Sequence, residues 1–497
     1  MNLPFKSITR SSFFHWWTYA AVASATFISV MEMSATAIVV PTISEHFGAD
    51  IPAAQWLTVS YMLVVSALIM PAGAIAATLG TRRLWLWGIF LFALASLITA
   101  FAPTFAMVIM GKILMGVGAS ALQANGMAMT AGAFSDSDRG KALGLHMTAV
   151  GIGAVGGPVF GGLIEGLWGW RAIFLFISMF SLISWVFSGV VLRKDPDGGE
   201  RNLTLLSKFD WLGTVFSAGL LLSVMLSVSF AQDFGWTSPL IVGGFILAVI
   251  LFLAFLVWEG RVKTPMLPLD MFKSIAFSVG SAARFLSFLA GSGVFFLMPF
   301  FLVSGLRMDT AVAALYLLPS SACMVVLAPL SGWIADRTGT TIPAVCGMVC
   351  STISMYLFST ITIDTNPVFV SGMAALSGIG MSVFMAPNTS AIMGSAGRSR
   401  YGIVSAFLNL TRNAAHVVGI ALPTAIVVVV MGSLGYEPDL SDSKALEDIG
   451  LRSAYAISMG KAFQVSTVIM AAAALLTIGS GVFLSRKPIV PEVVEKK

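Results

Sequence analysis

The stretch Gly144-LHMTAVGIGAVGGPVFG-Gly162 lies inside a long apolar segment, where glycine and proline are expected to be rare. Gly144, Gly153, Gly157, Gly161 and Gly162 carry no side chain, so a helix built on this stretch lets a neighbouring helix approach closely. Pro158 removes one backbone donor and bends that helix just after Gly157.

The whole chain shares that apolar character. Its 497 residues are 57% hydrophobic and 10% charged, with a mean hydropathy of +0.91. A soluble domain of this length does not have such a composition; an all-α polytopic membrane protein does. The net charge of +5 is no nucleic-acid signal, because the basic residues sit in short segments between apolar runs. Cys323, Cys346 and Cys350 all lie in apolar segments with no His or Cys cluster around them, and read as reduced packing residues rather than metal ligands. No phosphate cradle, metal constellation or nucleophile-base signature is present, which argues against an enzyme and against a cofactor.

Apolar runs of about 20 residues predict spanning helices. There are fourteen, near 15–41, 54–79, 84–102, 104–133, 140–166, 170–192, 210–232, 238–258, 274–304, 310–335, 339–362, 367–395, 403–433 and 461–485. With the N-terminus inside, twenty of the 28 Lys and Arg residues fall in inner segments, five in outer segments and three within spans. That bias is what the positive-inside rule requires, and it puts both termini in the cytoplasm. The predicted division is a six-helix bundle over 1–193, a linker with two extra helices over 194–273, and a second six-helix bundle with a short tail over 274–497. Gly73-AIAATL-Gly80-Thr-Arg82-Arg83 follows helix 2, and Gly332-WIADRT-Gly339 follows helix 10, its counterpart in the second half. Equivalent segments in two halves fit the repeat logic of transporters.

The spacing Gly153-x3-Gly157-Pro158-x2-Gly161-Gly162, with Gly144 nine residues upstream, resembles the antiporter motif in helix 5 of major facilitator exporters. Both loops resemble the major facilitator loop signature. Gly73, Gly80, Arg82 and Arg83 fit it in the first half, with Ala77 in place of the signature aspartate; Gly332, Asp336, Arg337 and Gly339 keep the fuller form. In helix 1, Met31-EMSATAIVV-Pro41 resembles the motif of 14-helix drug:proton antiporters, with Glu32 for the usual aspartate and Ala37 for the usual asparagine. Helix 4 resembles R-x-x-Q-G-x-G, with Lys112 for arginine and Met115 for glutamine. The resemblance implies a major facilitator fold of two six-helix bundles plus two inserted helices, a cavity between the bundles, and cytoplasmic gate loops that brace by ion pairs and charge-dipole contacts.

Glu32 is the single acidic residue well inside any span, and a carboxylate in hydrocarbon marks a functional site by default. Glu32 lies eight residues from the outer end of its helix, and Lys112 eight residues from the outer start of helix 4. At roughly 1.5 Å per residue both sit about 12 Å below the outer face, so they are expected to form a proton-sensitive pair. Asn409, Arg412, Asn413 and His416 fall on one helical face, which must look into a cavity or a buried network. Tyr61 is deep enough to stack on a substrate, or to pack. Gln123 and Asn125 would line a cavity or bond to neighbouring helices. Arg284 has no acid near it in sequence; it would compensate Glu32, bind an anionic headgroup or bond carbonyls. His416 would titrate near neutrality or serve as a satisfied hydrogen-bond partner.

The resemblance implies an exporter of amphipathic, cationic drugs or biocides driven by protons across a bacterial inner membrane, acting as a monomer among membrane lipids. Arg284, Arg412 and Lys112 against one acid suit an anionic amphiphile instead: a lipid, a fatty acid or a siderophore-like metabolite. A non-transporting sensor or scaffold is a third reading, opposed by loops too short for a soluble signalling domain.

Overall fold

In hydrocarbon every backbone N–H and C=O must find its partner within the chain, so each apolar run winds into a helix. The computed structural model describes residues 14–48, 51–193, 210–235, 238–262, 265, 267–308, 310–436 and 449–485. Fourteen long helices follow in order: α1 Phe14–Phe47, α2 Ile51–Leu79, α3 Thr81–Ala100, α4 Phe105–Ala133, α5 Arg139–Trp168, α6 Trp170–Val191, α7 Trp211–Phe234, α8 Pro239–Glu259, α9 Ile275–Phe300, α10 Thr310–Thr338, α11 Thr341–Phe358, α12 Pro367–Ala396, α13 Tyr401–Ser433 and α14 Ile449–Ser485. No strand occurs among the described residues. Eleven of these helices are long and apolar enough to cross a membrane by length and composition; α1, α5 and α7 fall outside that set, α7 with the shorter apolar stretch Trp211–Ser227. The chain is an integral membrane protein.

Two element bounds differ from expectation. Helix α1 runs on to Phe47, past the predicted end at 41. Helix α14 begins at Ile449, well before the predicted start at 461. Arg452 gave that segment the look of an outer loop. In the fold its Nε and Nη2 both donate to the Gly305 carbonyl, at 2.8 and 2.6 Å, while Leu451, Tyr455, Ala456 and Met459 are buried in a shared core. Burial of one face carries the helix further than its charge pattern suggests.

Helices α1–α6 pack around their own apolar cores, and α9–α14 around another. Helices α7 and α8 form an antiparallel pair beside them. Asp210 Oδ1 accepts from Gly213 N at 2.8 Å and from Trp258 Nε1 at 2.7 Å, which caps α7 and ties it to the far end of α8. The pair leans on α2 through Trp56 and Phe230, whose ring centroids are 5.6 Å apart.

One apolar core draws on both sets. Ile69, Met70, Met127, Leu143 and Met147 of the first meet Phe277, Ala328, Ile392, Tyr401 and Val404 of the second. It lies at the end of the molecule that carries the α2–α3, α4–α5, α10–α11 and α12–α13 turns, called here the basic end. No core shared in this way occurs at the opposite end among the described residues. At the basic end Gly80 (φ 96°) and Gly339 (φ 87°) take the left-handed turn that follows α2 and α10, in equivalent places in the two halves. There too Arg400 Nη1 donates to Asp270 Oδ2 at 2.8 Å, and this bond holds the Asp270 carboxyl below its ordinary range. Its contribution is present above about pH 4, the ordinary carboxylate pKa, and fades as pH falls through the lowered value.

The glycine stretch is divided between two neighbours. A Cβ at Gly153 would lie 2.9 Å from the Phe27 carbonyl oxygen, one at Gly157 2.7 Å from that of Met31, and one at Gly161 3.1 Å from that of Ala35, all on α1. A Cβ at Gly144 would lie 2.8 Å from Pro329 Cα on α10, across the boundary between the two sets. Gly162 departs from expectation: nothing lies within 4 Å of a Cβ there, because it sits on the outer side of α5. Helix α5 runs unbroken through position 158.

A Gly157→Leu substitution is therefore expected to force α5 off α1 and lower stability by about 1–3 kcal/mol or more. Gly162→Leu is expected to change little. Thermal unfolding of the detergent-solubilised variants compares the two; equal losses would contradict the assignment of faces.

Candidate functional site

Two polar centres lie between the helices. In the first, Lys112 of α4 donates to Glu32 Oε1 of α1. Glu32 is 0% and Lys112 1% exposed. Thr36, one turn further along α1, donates to the same Oε1 at 2.8 Å and accepts from Lys112 Nζ at 3.2 Å. The ammonium also stands 4.8 Å from the centre of the Tyr61 ring, so Tyr61 is packing for the pair rather than an open stacking surface. Burial of two charges is tolerable only when each has its partner; removal of either partner alone typically costs about 3–5 kcal/mol. Glu32 Oε2, equally buried, has no hydrogen-bond partner. One oxygen of the acid is thus anchored and the other has no partner among the described residues.

The second centre is a narrow cavity lined by Thr26, Ser29, Gln123, His146, Asn409 and Arg412, with Val30, Leu122, Met147 and Val150 as its apolar wall. Ser29 of the cavity lining stands three residues before Glu32, so the cavity and the ion pair are neighbours on one face of α1. Helix α13 brings its polar face to this place. Asn409 Nδ2 donates to the Gln123 carbonyl at 2.7 Å and to that of Ser405 at 3.0 Å. Arg412 Nη2 donates to Gln123 Oε1 at 3.1 Å. Asn413 Nδ2 reaches Ser66 Oγ of α2 at 3.5 Å, and His416 Nδ1 shares a 2.6 Å hydrogen bond with Ser292 Oγ of α9. Three of the four residues singled out on this helix therefore touch the first set of helices, and His416 stays within the second.

The other two residues expected at the cavity lie elsewhere. Asn125 is fully buried and donates to its own helix, to the Ala121 carbonyl at 2.8 Å. Arg284 is fully buried in the second set, where Nη1 donates to Thr389 Oγ1 at 2.9 Å and the guanidinium lies 5.3 Å from the Phe288 ring centre. It forms no ion pair among the described residues, so Glu32 is compensated by Lys112 and not by Arg284.

At the basic end Asp336 of α10 accepts from the backbone N–H groups of Gly140 and Lys141, at 2.8 and 2.9 Å. These are orphan donors at the start of α5, so one carboxylate caps a helix of the opposite set. Arg139 crosses the same boundary, donating to Tyr401 Oη at 2.9 Å and Ser390 Oγ at 3.3 Å. Gly73 admits α13 closely: a Cβ there would lie 2.6 Å from Ala406 Cβ. Arg82 instead donates to the Leu192 and Gly189 carbonyls, at 2.9 and 2.7 Å, and ties α3 to α6 within its own set. Arg83 is exposed, and Arg337 stacks on Trp333 at 3.9 Å.

Sequence reading passed over Thr36, His146 and Arg139. Thr36, four residues after Glu32 and so on the same helical face, carried a usable signal; His146 looked like one of four scattered histidines, and Arg139 like an ordinary loop cation.

The comparisons with known proteins agree with this architecture. The model of the Major Facilitator Superfamily matches residues 22–208 and 211–420. The riboflavin transporter RibZ of Clostridioides difficile (strain 630) is 28% identical over 406 residues, covering 82% of this chain and 87% of that protein. The tetracenomycin C resistance and export protein of Streptomyces glaucescens is 28% identical over 444 residues, covering 89% and 81%. The structure of the proton:xylose symporter XylE superposes with a TM-score of 0.63 at 13% identity, over 93% of this chain and 95% of that one. The chain is a transporter rather than an enzyme, and it belongs to the Major Facilitator Superfamily, among members that include proteins named for drug resistance and export.

Proposed function

We propose that this chain is a proton-coupled exporter of small amphipathic molecules in a bacterial inner membrane. The carrying observation is a buried Glu32–Lys112 pair on the same α1 face as a polar cavity between two sets of helices. The basic end is cytoplasmic on the positive-inside rule, so the sealed core there corresponds to an outward-facing state. The two six-helix sets move as bodies about the cavity, and one monomer suffices.

A proton taken up at Glu32 Oε2 neutralises the acid and strips Lys112 of its counter-ion. A lone buried ammonium is costly, so the pair must separate, rearrange or release the lysine proton. That links protonation to the packing of α1 against α4 and α5. One charge moved inward at about 150 mV releases roughly 3.5 kcal/mol, enough for two to three decades of substrate gradient. The glycine stretch resembling the antiporter motif and the relative named for tetracenomycin C resistance and export support outward transport. A cationic cargo would have to displace Lys112 from Glu32; an anionic cargo has Arg412 open to it. The latter observation favours the anionic reading.

Glu32→Gln is expected to fold and to move substrate down its gradient, without the response to an imposed pH gradient. Dye efflux from proteoliposomes, with and without that gradient, measures this; undiminished proton-driven efflux would exclude Glu32 from coupling. Asp336→Asn is expected to weaken the sealed basic end by about 1 kcal/mol, raising the population open at that end about five-fold. Distances between spin labels on the basic ends of α5 and α10 report that population; an unchanged distribution would remove Asp336 from the gate.

A further inference from the structure

The cavity between the two helix sets has an uncompensated charge. Arg412 is only half-buried, and its described acceptors are neutral amides: Gln123 Oε1 at 3.1 Å and Asn413 Oδ1 at 3.5 Å. It forms no ion pair among the described residues. The nearest acid by function, Glu32, is already neutralised by Lys112. Among the described residues the site thus carries net positive charge with no acid paired to Arg412.

The rest of the lining fits an anion with an apolar body. Thr26 Oγ1, buried at the cavity, has no hydrogen-bond partner of its own. Arg412 Nη1 makes no hydrogen bond among the described residues, while Nη2 is held by Gln123 and the guanidinium plane is fixed. A planar fork with free donors recognises a carboxylate or sulfonate oxygen pair better than a point charge does. Val30, Leu122, Met147 and Val150 offer an apolar wall to the remainder of the molecule.

We infer that Arg412, with Thr26 and Gln123 beside it, forms an anion-binding subsite, and that the cargo is a small organic acid, a carboxylate or sulfonate carried on an apolar body. This deepens the transport reading and rests on it. Arg284, sealed in the second set of helices, adds positive potential without touching the cargo.

The test is saturable binding, by equilibrium dialysis, to the full chain in phosphatidylcholine nanodiscs, with empty nanodiscs subtracted and no proton gradient. The probes are 8-anilinonaphthalene-1-sulfonate, its uncharged analogue N-phenyl-1-naphthylamine, and the cation ethidium. Wild type is expected to bind the sulfonate at least ten-fold more tightly than either of the others. Arg412→Gln is expected to lose at least ten-fold in sulfonate affinity, and Arg412→Lys, which keeps the charge but not the fork, to recover only part of that loss. Gln123→Glu supplies the missing acid beside Arg412 with almost no change of shape. It is expected to weaken the sulfonate at least ten-fold and to strengthen ethidium. No saturable sulfonate binding to wild type, ethidium bound as tightly as the sulfonate, or sulfonate affinity within two-fold of wild type in Gln123→Glu would each overturn the assignment. Loss of sulfonate binding when the nanodisc lipid is phosphatidylglycerol would give the subsite to a lipid headgroup and overturn a soluble cargo. Because no gradient is present, these outcomes stand apart from any failure of coupling at Glu32.

Discussion

Helix α5 can touch two partners at backbone distance only because it lacks side chains on both faces. Gly153 and Gly157 set it against α1, where the carbonyls of Phe27 and Met31 would lie within 2.9 Å of a Cβ. Gly144 sets the same helix against α10 of the opposite set. In a bilayer the apolar effect gives helices little reason to associate, so close packing and hydrogen bonds must do so. Helix α5 is smooth toward one neighbour in each set, so it belongs both to the packing of the first set and to the boundary between the two. The Thr148 hydroxyl, which donates to the Val325 carbonyl at 3.1 Å, and the Asp336 cap at the start of α5 act on that same boundary.

The interior charges follow a different logic. Glu32 and Lys112 pair with one another in a fully buried place, and Thr36 adds a further hydrogen bond to the same oxygen. In low dielectric a matched pair is near break-even while a half-pair is strongly unfavourable, so protonation of one member is felt at once by the other. Arg412 sits where the two sets meet, and its acceptors among the described residues are amides. A partly buried cation without a paired acid is costly, which is what makes this position a candidate for binding an anion. The basic end adds an asymmetry. Asp336 caps α5 from the second half, whereas the first-half loop has Ala77 where the loop signature has an aspartate, leaving close packing at Gly73 and the Arg139–Tyr401 bond to hold that side.

Much of this was legible beforehand because helices in lipid obey local rules. Length and hydropathy locate them, a count of 1.5 Å per residue sets depth, and a 0, 3, 4, 7 spacing puts Asn409, Arg412, Asn413 and His416 on one face. The same count set Glu32 and Lys112 level, and the fold brings them into contact. Where local rules are silent the reading failed. Arg452 looked like a loop residue because its acceptor, Gly305, belongs to another helix. Gly162 matched a motif that its position on the outer side of α5 does not use. Arg82 matched a gate signature and is spent on carbonyls of its own set.

The amino-acid order by itself determined that this is an all-helical membrane protein, with one acid well inside a span at a known depth and a polar face on a late helix. Tertiary structure decided which end is sealed, which helix each glycine meets, and which cations have partners. Those outcomes join residues as far apart as Gln123 and Arg412, and no periodicity along one helix encodes how it is rotated against another. Composition sets which groups must be satisfied; only packing decides by whom.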